Sequence, residues 1–515
     1  MILFGYNRQI KDYIISGFVH GFRLGYIGKK ANSDEYKNHK SIINNMCVVK
    51  TMIDKEIELG KVKGPFDLKP FLSFWISPLG LVPKKDNTFR LIHDLSYPRG
   101  NSVNSNIPRE MATVKYETFD DLCNIILNLG KGCLVAKVDI EQAFRIIPIH
   151  PEDYWLLGFK INNKYFYDSV LPMGASSSCK IFETLSTALQ WVLMNKYKIP
   201  TVTHILDDFM FVGPPGSDLC LKYLNTFLEI CKYTGIPVKH SKTVYPTSVG
   251  IAHGITFDTI NMQARLPNDK LIKCKQSILY ALNQNTMTIK QVQALIGLLS
   301  FVCKVVRPGR SFLRRLIDLT MGKNNKFHNI NLNKDTKLDL ELWLQFLSKY
   351  NGVSLLIPNI WTKQDHLKLY TDASGKYGFG AVFDNEWVQG NWPETWRERE
   401  ITIKELYPIV LSTYLWADQL ENKNVMFYTD NMSVVHIINT QTSRDKNIMI
   451  LVRKLVLKLL QLNTTYKAEH ISGKKNIIAD ALSRGLFQQA KEAAPHLDAM
   501  PKQVPHDCLP NSWIP

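Results

Sequence analysis

Two aspartates set side by side between apolar runs constrain this chain more than any other feature. In Val202-Thr-His-Ile-Leu-Asp207-Asp208-Phe-Met-Phe-Val212 each run is too short for a helix and has the length of a strand. The pattern predicts a β-hairpin with Asp207 and Asp208 at its tip. Adjacent carboxylates among apolar side chains are costly unless a cation neutralises them. A plain Asp-Asp turn meets the pattern equally well, so the surroundings have to decide.

Those surroundings are informative. Leu134-Val-Ala-Lys-Val-Asp139 reads as a buried strand that delivers Asp139 at its end. Three carboxylates brought together can hold two divalent metals roughly 4 Å apart, which activate an attacking hydroxyl and stabilise a leaving pyrophosphate. Leu171-Pro-Met173-Gly174-Ala-Ser-Ser-Ser-Cys-Lys-Ile-Phe-Glu183 reads as a turn opening a helix, where Gly174 permits a close backbone approach to a substrate. Leu81-Val-Pro-Lys84-Lys85-Asp-Asn-Thr-Phe-Arg90 reads as a hairpin with basic arms around an Asp-Asn turn, and such arms suit a triphosphate.

Acidic strand ends recur beyond residue 360. Leu367-Lys-Leu-Tyr-Thr-Asp372 and Val425-Met-Phe-Tyr-Thr-Asp430 are strands ending in aspartate. Between them Thr402-Ile-Lys-Glu405 opens a helix with Leu406, Ile409, Val410 and Thr413 on one stripe. Thr-x-x-Glu is also a capping box, so Glu405 could serve only a backbone donor. His470-Ile-Ser-Gly-Lys-Lys-Asn-Ile-Ile-Ala-Asp480 places a histidine in a Gly-Lys loop before an acidic helix. Four carboxylates and a mobile histidine suit two-metal hydrolysis with water as the nucleophile.

A chain of 515 residues is expected to form two to four domains. With 63 Lys+Arg against 46 Asp+Glu, its formal charge of +17 suits a polyanionic partner. The nine cysteines show no zinc or disulfide spacing and read as thiols of a reducing compartment. The apolar stretch from Tyr13 to Ile27 is broken by His20 and Arg23 and is too short for a bilayer. A soluble protein of the cytoplasm or nucleus, without a membrane partner, is expected. From Leu266 to Tyr350 the pattern turns helical and basic without a strand. There Arg307-Pro-Gly-Arg310-Ser-Phe-Leu-Arg314-Arg315 suits phosphate contact along a duplex, or equally a solvated helix face. The stripe Ile448, Leu451, Val452, Leu455 and Leu459 is core packing.

Taken in order, these segments resemble the reverse transcriptases of retrotransposons, joined to a retroelement ribonuclease H. Gly235-Ile-Pro-Val-Lys-His-Ser-Lys242 and His253-Gly-Ile255 extend the likeness. Ser77-Pro-Leu-Gly-Leu-Val-Pro, Asp94-Leu-Ser-Tyr-Pro and Tyr428-Thr-Asp-Asn-Met-Ser-Val look most like the DIRS group. The resemblance implies a multidomain α+β protein: a right-hand polymerase with fingers, palm and thumb, then a ribonuclease H-like α/β domain. It implies metal-binding carboxylates at Asp139, Asp207 and Asp208 and again at Asp372, Glu405, Asp430 and Asp480, with His470 assisting proton transfer or product release. Arg90 with Lys84 or Lys85 would contact the triphosphate, with Met173 and Gly174 lining the nucleotide site. Phe144 would exclude a ribose 2′ hydroxyl, and Lys242 would protonate pyrophosphate, unless it is only a surface lysine. The family's aromatic residue before the acidic pair is replaced by Ile205, and Met173 stands where Gln or Phe is commoner.

The implied cofactor is Mg²⁺, with Mn²⁺ as a substitute, two ions per site. The implied partners are an RNA template, a DNA primer, RNA-DNA hybrid, deoxynucleoside triphosphates, and a recombinase or structural protein of the same element. The expected divisions are an extension at 1–60, fingers and palm at 61–265, a helical thumb and connection at 266–356, the ribonuclease H-like domain at 357–485 and a flexible tail at 486–515. An inactive or domesticated nucleic-acid-binding relic of such an element is the alternative.

Overall fold

The computed structural model describes the chain apart from residues 1, 2, 4, 85–87, 324, 350–353, 356–365, 422, 463 and 515. It divides into two compact units, residues 1–253 with 258–262, and 254–257 with 263–515.

In the first unit α1 (Met46–Glu58) leads into β1 (Val62–Phe66), β2 (Leu79–Pro83) and β3 (Phe89–His93). Then come β4 (Leu134–Asp139), β5 (Gly158–Ile161), β6 (Lys164–Asp168), α2 (Ser178–Asn195), β7 (Val202–Ile205), β8 (Asp208–Gly213), α3 (Leu219–Thr234) and β9 (Val244–Thr247). The expected basic hairpin is β2 paired with β3 from Leu79↔His93 to Pro83↔Phe89. Its Asp86-Asn87 turn and Lys85 lie outside the described residues. The sheet that matters for chemistry runs β7-β8-β4-β9.

Register explains why that sheet carries acids. Asp139 pairs with Asp208, Lys137 with Met210, Val138 with Phe209 and Ala136 with Phe211. Side chains alternate along a strand, so Lys137, Asp139 and Asp208 share one face and the four apolar residues share the other. Ala136, Val138, Phe209 and Phe211 are fully buried. Phe209 and Phe211 lie against Phe227 of α3, with ring centroids 4.6 and 5.3 Å apart. Each large side chain buried in this way stabilises the fold by about 1.5–3 kcal/mol. The apolar face therefore fixes the register, and the register fixes where the carboxylates emerge.

The second unit opens with helices, as expected: α4 (Asn268–Leu282), α5 (Ile289–Val302), α6 (Arg314–Thr320) and α7 (Lys334–Lys349). It also holds a ribbon that the sequence reading denied, β10 (Thr286–Thr288) paired with β11 (Asn329–Asn331). Its strands are three residues each and mostly polar, so no apolar alternation announces them.

An α/β layer follows: β12 (Leu367–Ala373), β13 (Gly378–Phe383), β14 (Glu386–Asn391), α8 (Ile401–Leu415), β15 (Asn424–Thr429), α9 (Met432–Thr440), α10 (Lys446–Gln461), β16 (Thr465–His470) and α11 (Ile477–Ser483). The sheet order is β14-β13-β12-β15-β16, with β12, β15 and β16 parallel. The stripe of α10 is buried as expected.

The expectation of a flexible tail is overturned. Residues 487–493 form α12, and the segment beyond it packs back on the sheet domain. Trp387 stacks on Phe487 with centroids 4.5 Å apart and donates to Asp498 O at 2.8 Å. Tyr407 Oη donates to Cys508 O at 2.8 Å, and Trp513 packs on Tyr407 and Tyr414 at 5.3 and 5.2 Å. The anchoring residues are irregularly spaced, which is why no periodicity betrays them. Trp513→Ala should cost about 3–5 kcal/mol and lower the melting temperature of the second unit; an unchanged transition in calorimetry would make the contact incidental.

Candidate functional site

The hairpin tip of the first unit is built by backbone geometry. Ile205 pairs with Asp208, leaving Leu206 and Asp207 as the turn, with Leu206 at φ +53°. Asp207 O accepts from Ile140 N at 2.9 Å, which ties the turn to the end of β4. Thus Asp139, Asp207 and Asp208 meet, as expected.

Two lysines meet them. Lys242 Nζ lies 2.9 Å from Asp139 Oδ2, and Lys137 Nζ lies 2.6 Å from Asp208 Oδ2. Lys137 was overlooked in the sequence, although its position two residues before Asp139 already places it on the same strand face. Burial raises the Asp207 carboxyl above the ordinary range, and Asp139 and Asp208 push it further. Burial likewise raises Asp208, with Lys137 opposing. Asp208 Oδ1 is buried without a hydrogen-bond partner. An orphaned oxygen among mutually repelling carboxylates fits a hard divalent cation.

Around this tip the expected nucleotide residues take different places. Lys84 and Arg90 are exposed on the arms of the β2–β3 hairpin. Phe144 is half-buried, its ring edge-on to Phe182 at 5.7 Å. Met173 O accepts from His93 N at 3.3 Å. At Gly174, a Cβ would stand 1.9 Å from His93 O, so the close approach of β3 requires a glycine there. His93 is itself held from below: its Nδ1 is 3.1 Å from Asp168 Oδ2, while Arg145 binds Asp168 Oδ1 and Glu56 Oε2, each at 2.7 Å. Burial would raise the Asp168 carboxyl, but Arg145 and His93 outweigh it and hold it low. These four residues come from separate segments, and no sequence spacing joins them.

The second acidic site follows from strand register. Leu367 pairs with Val425 and Tyr370 with Tyr428 in parallel, so Asp372 and Asp430 occupy equivalent positions at neighbouring carboxyl ends. Glu405 comes from the buried helix α8 and Asp480 from α11. Asp372, Glu405 and Asp430 each bring one oxygen to within 4.8 Å of the others. Asp480 accepts from Arg484 Nε and Nη2 at 2.9 and 2.8 Å. Ser483, which sequence reasoning missed, donates to Asp372 Oδ2 at 2.6 Å. The capping-box alternative for Glu405 fails because the N-cap is Glu400, two residues before Thr402. His470 is exposed as the last residue of β16, one element earlier than the Gly-Lys loop expected for it.

Burial, then Asp372 and Asp430, push Glu405 up to about 9, and burial raises Asp372 to about 6. Glu405 Oε2 has no hydrogen-bond partner. Between the ordinary value of 4.5 and about 9 the folded chain keeps a proton that the unfolded chain releases. Stability of the cation-free second unit should therefore fall as pH rises across that window. Filling the site with a divalent cation at pH 7 should expel about one proton. Calorimetric titration in two buffers of different ionisation enthalpy measures this, and zero release would remove Glu405 from the ligand set.

Among the described residues of the basic patch, Arg314 and Arg315 have acidic partners within the chain. Arg314 is drawn to Asp318 at 2.6 Å, and Arg315 to Asp339 at 2.9 Å and Asp335 at 3.6 Å. These internal partners, four to 24 residues downstream, leave both guanidiniums committed. Arg310 is exposed, and the Arg307 side chain lies outside the described residues.

Residues 82–252, which hold Asp139, Asp207 and Asp208, match the family model described as reverse transcriptase (RNA-dependent DNA polymerase). Residues 415–485, which hold Asp430 and Asp480, match the one described as reverse transcriptase-like. Two separate segments of the chain, in this order, are thus similar to reverse transcriptase families. The Pro-Pol polyprotein of feline foamy virus is 25% identical over 281 residues, 54% of this chain and 22% of that protein. The Gag-Pro-Pol polyprotein of mouse mammary tumor virus is 20% identical over 346 residues, 65% of this chain and 18% of that protein. The chain thus spans about a fifth of these relatives' length. Foamy viral protease-reverse transcriptase bound to double-stranded DNA superposes with a TM-score of 0.52 at 17% identity, covering 90% of this chain and 79% of that one. Its complex with RNA/DNA hybrid gives 0.51 at 17%, covering 90% and 61%. The fold is that of a reverse transcriptase polymerase followed by a ribonuclease H-like domain. Among the described residues, no helix is long and apolar enough to cross a membrane.

Proposed function

We propose that this chain is the RNA-directed DNA polymerase of a retrotransposon of the DIRS group, with a ribonuclease H that cleaves the RNA strand of RNA-DNA hybrids. One observation carries the reading: each unit gathers its own set of carboxylates from separate strands and helices, with an orphaned buried oxygen in each. Mg²⁺ held by Asp139, Asp207 and Asp208, and by Asp372, Glu405, Asp430 and Asp480, would supply Lewis acidity to the attacking and leaving oxygens.

The chain's own residues do the rest. Arg90 with Lys84 or Lys85 binds the triphosphate. Met173 and Gly174 floor the nucleotide site, fixed to β3 through His93. Phe144 excludes the ribose 2′ hydroxyl. The primer 3′ hydroxyl gives its proton to solvent and its oxygen bonds to the α-phosphorus as the bond to pyrophosphate breaks, while Lys242, kept protonated by Asp139, donates a proton to the leaving group. In the second site, a water oxygen bonds to the RNA phosphorus as the P–O3′ bond breaks; exposed His470 passes the water's proton to solvent, and the departing 3′ oxygen takes a proton from solvent. The double-stranded DNA and the RNA/DNA hybrid bound by the solved foamy viral enzymes support a primed duplex as substrate, with Arg310 on its phosphates.

Primer extension on RNA and DNA templates, with and without Mg²⁺, tests this reading. Mg²⁺-dependent lengthening on both templates is expected. A relic that only binds would shift the duplex on a gel without lengthening the primer.

A further inference from the structure

The strand leading into the acidic turn, β7, is the outer strand of its sheet, so among the described residues one backbone edge has no strand partner. Buried backbone groups must find partners elsewhere, and here side chains supply them in a row. Gln190 Nε2 donates to Val202 O at 3.0 Å and to Glu117 Oε1 at 2.9 Å. Glu117 Oε2 accepts from His204 N at 2.8 Å. At the turn itself Glu183 Oε2 accepts from Leu206 N at 3.1 Å, and Ser186 Oγ donates to Leu206 O at 2.8 Å. Glu183, Ser186 and Gln190 follow the i, i+3, i+7 spacing of one face of α2.

Leu206 is the residue that needs holding. Its φ of +53° is uncommon for a side chain with a Cβ. Such a conformation persists where the surroundings over-determine it. Here both its N–H and its C=O are gripped from one helix. The grip is itself braced: Glu183 is buried, and its other oxygen faces His204 Nε2 at 3.3 Å. The next residue after Leu206 is Asp207.

We propose that Glu183 and Ser186 are positioning residues that lock Leu206 in its left-handed conformation and so aim Asp207 and Asp208 at the reacting phosphate. Neither touches substrate. They act through the turn, and α2 serves as the missing neighbour strand. The kinetic side of this proposal rests on the polymerase reading above; the structural side does not.

The full chain is tested as Glu183→Ala, Glu183→Gln and Ser186→Ala. Glu183→Ala should lower kcat of primer extension about 10- to 100-fold, the scale of a misplacement near 1 Å. KM for the nucleotide and duplex affinity should stay within about twofold, because neither residue touches substrate, and RNA-strand cleavage likewise, because its carboxylates belong to the other unit. Glu183→Gln keeps a carbonyl acceptor for Leu206 N–H and should recover most of the loss. Ser186→Ala, the smaller change in volume, should lower kcat less than Glu183→Ala and likewise spare KM. Hydrogen exchange of the 202–213 segment, read by mass spectrometry, should accelerate in Glu183→Ala and not in Glu183→Gln.

Unchanged exchange in Glu183→Ala overturns the proposal, as does faster exchange with undiminished kcat, or a Gln variant as impaired as the Ala variant. If the unmodified chain extends no primer, the polymerase reading falls while exchange still decides the clamp.

Discussion

Asp207→Asn is expected to reduce DNA synthesis on the order of a thousandfold while RNA-strand cleavage stays near its original rate. The asparagine is nearly the same shape, so the turn at Leu206 and the Asp207 O bond to Ile140 N remain. What disappears is one negative charge from a trio whose members already raise one another's proton affinity. With less repulsion, the folded chain without metal should be no less stable, and slightly more so at high pH. That combination separates loss of metal binding from loss of fold. Extension within tenfold of the original rate would remove Asp207 from the site.

Glu405→Gln should have the opposite profile, with RNA-strand cleavage falling on the order of a thousandfold and primer extension unaffected. Glu405 is the most perturbed carboxyl of the second site, pushed up to about 9, so at neutral pH without metal it is already uncharged. Glutamine imitates that neutral form. The variant should therefore melt at the same temperature at pH 7 without metal, and should resist the loss of stability that the unmodified chain shows as pH rises towards 9. It should also lose most of the stabilisation that added Mg²⁺ confers. Retained cleavage with normal Mg²⁺ stabilisation would show that Asp372, Asp430 and Asp480 suffice.

The parts of the fold legible in the sequence share a cause. Strands such as Leu134–Asp139 and Val425–Thr429 are apolar runs that end on an acid, so one local pattern announces both the element and its chemistry. The helix of Glu405 was legible too, but its beginning was not. Only the observed start at Ile401, with Glu400 as N-cap, rules out a cap at Glu405. What escaped is non-local. The commitment of Arg315 depends on acids 20 and 24 residues on that the chain returns to the same place, whereas the Arg314–Asp318 pair, four residues apart on one helix, could have been read. The ordered segment after Leu486 is held by scattered aromatic contacts that follow no period. Lys137 stands between these cases: alternation placed it beside Asp139, yet only the hairpin pairing supplied Asp208 as its partner. The close approach of His93 O to Gly174 was not legible, since a turn sequence says nothing of which backbone will lie against it.

The matched pairing of β12 with β15 has a consequence for how such a chain can vary. Asp372 and Asp430 each lie five residues beyond the first paired positions, Leu367 and Val425. Inserting or deleting one residue within either stretch would turn its aspartate to the opposite side of the sheet, and a two-residue change would carry it about 7 Å along the strand. Length changes are harmless only in the links, such as Asp384-Asn385 or the segment before Asn424. Natural variants should therefore differ in loop length while both Tyr-Thr-Asp stretches keep their count.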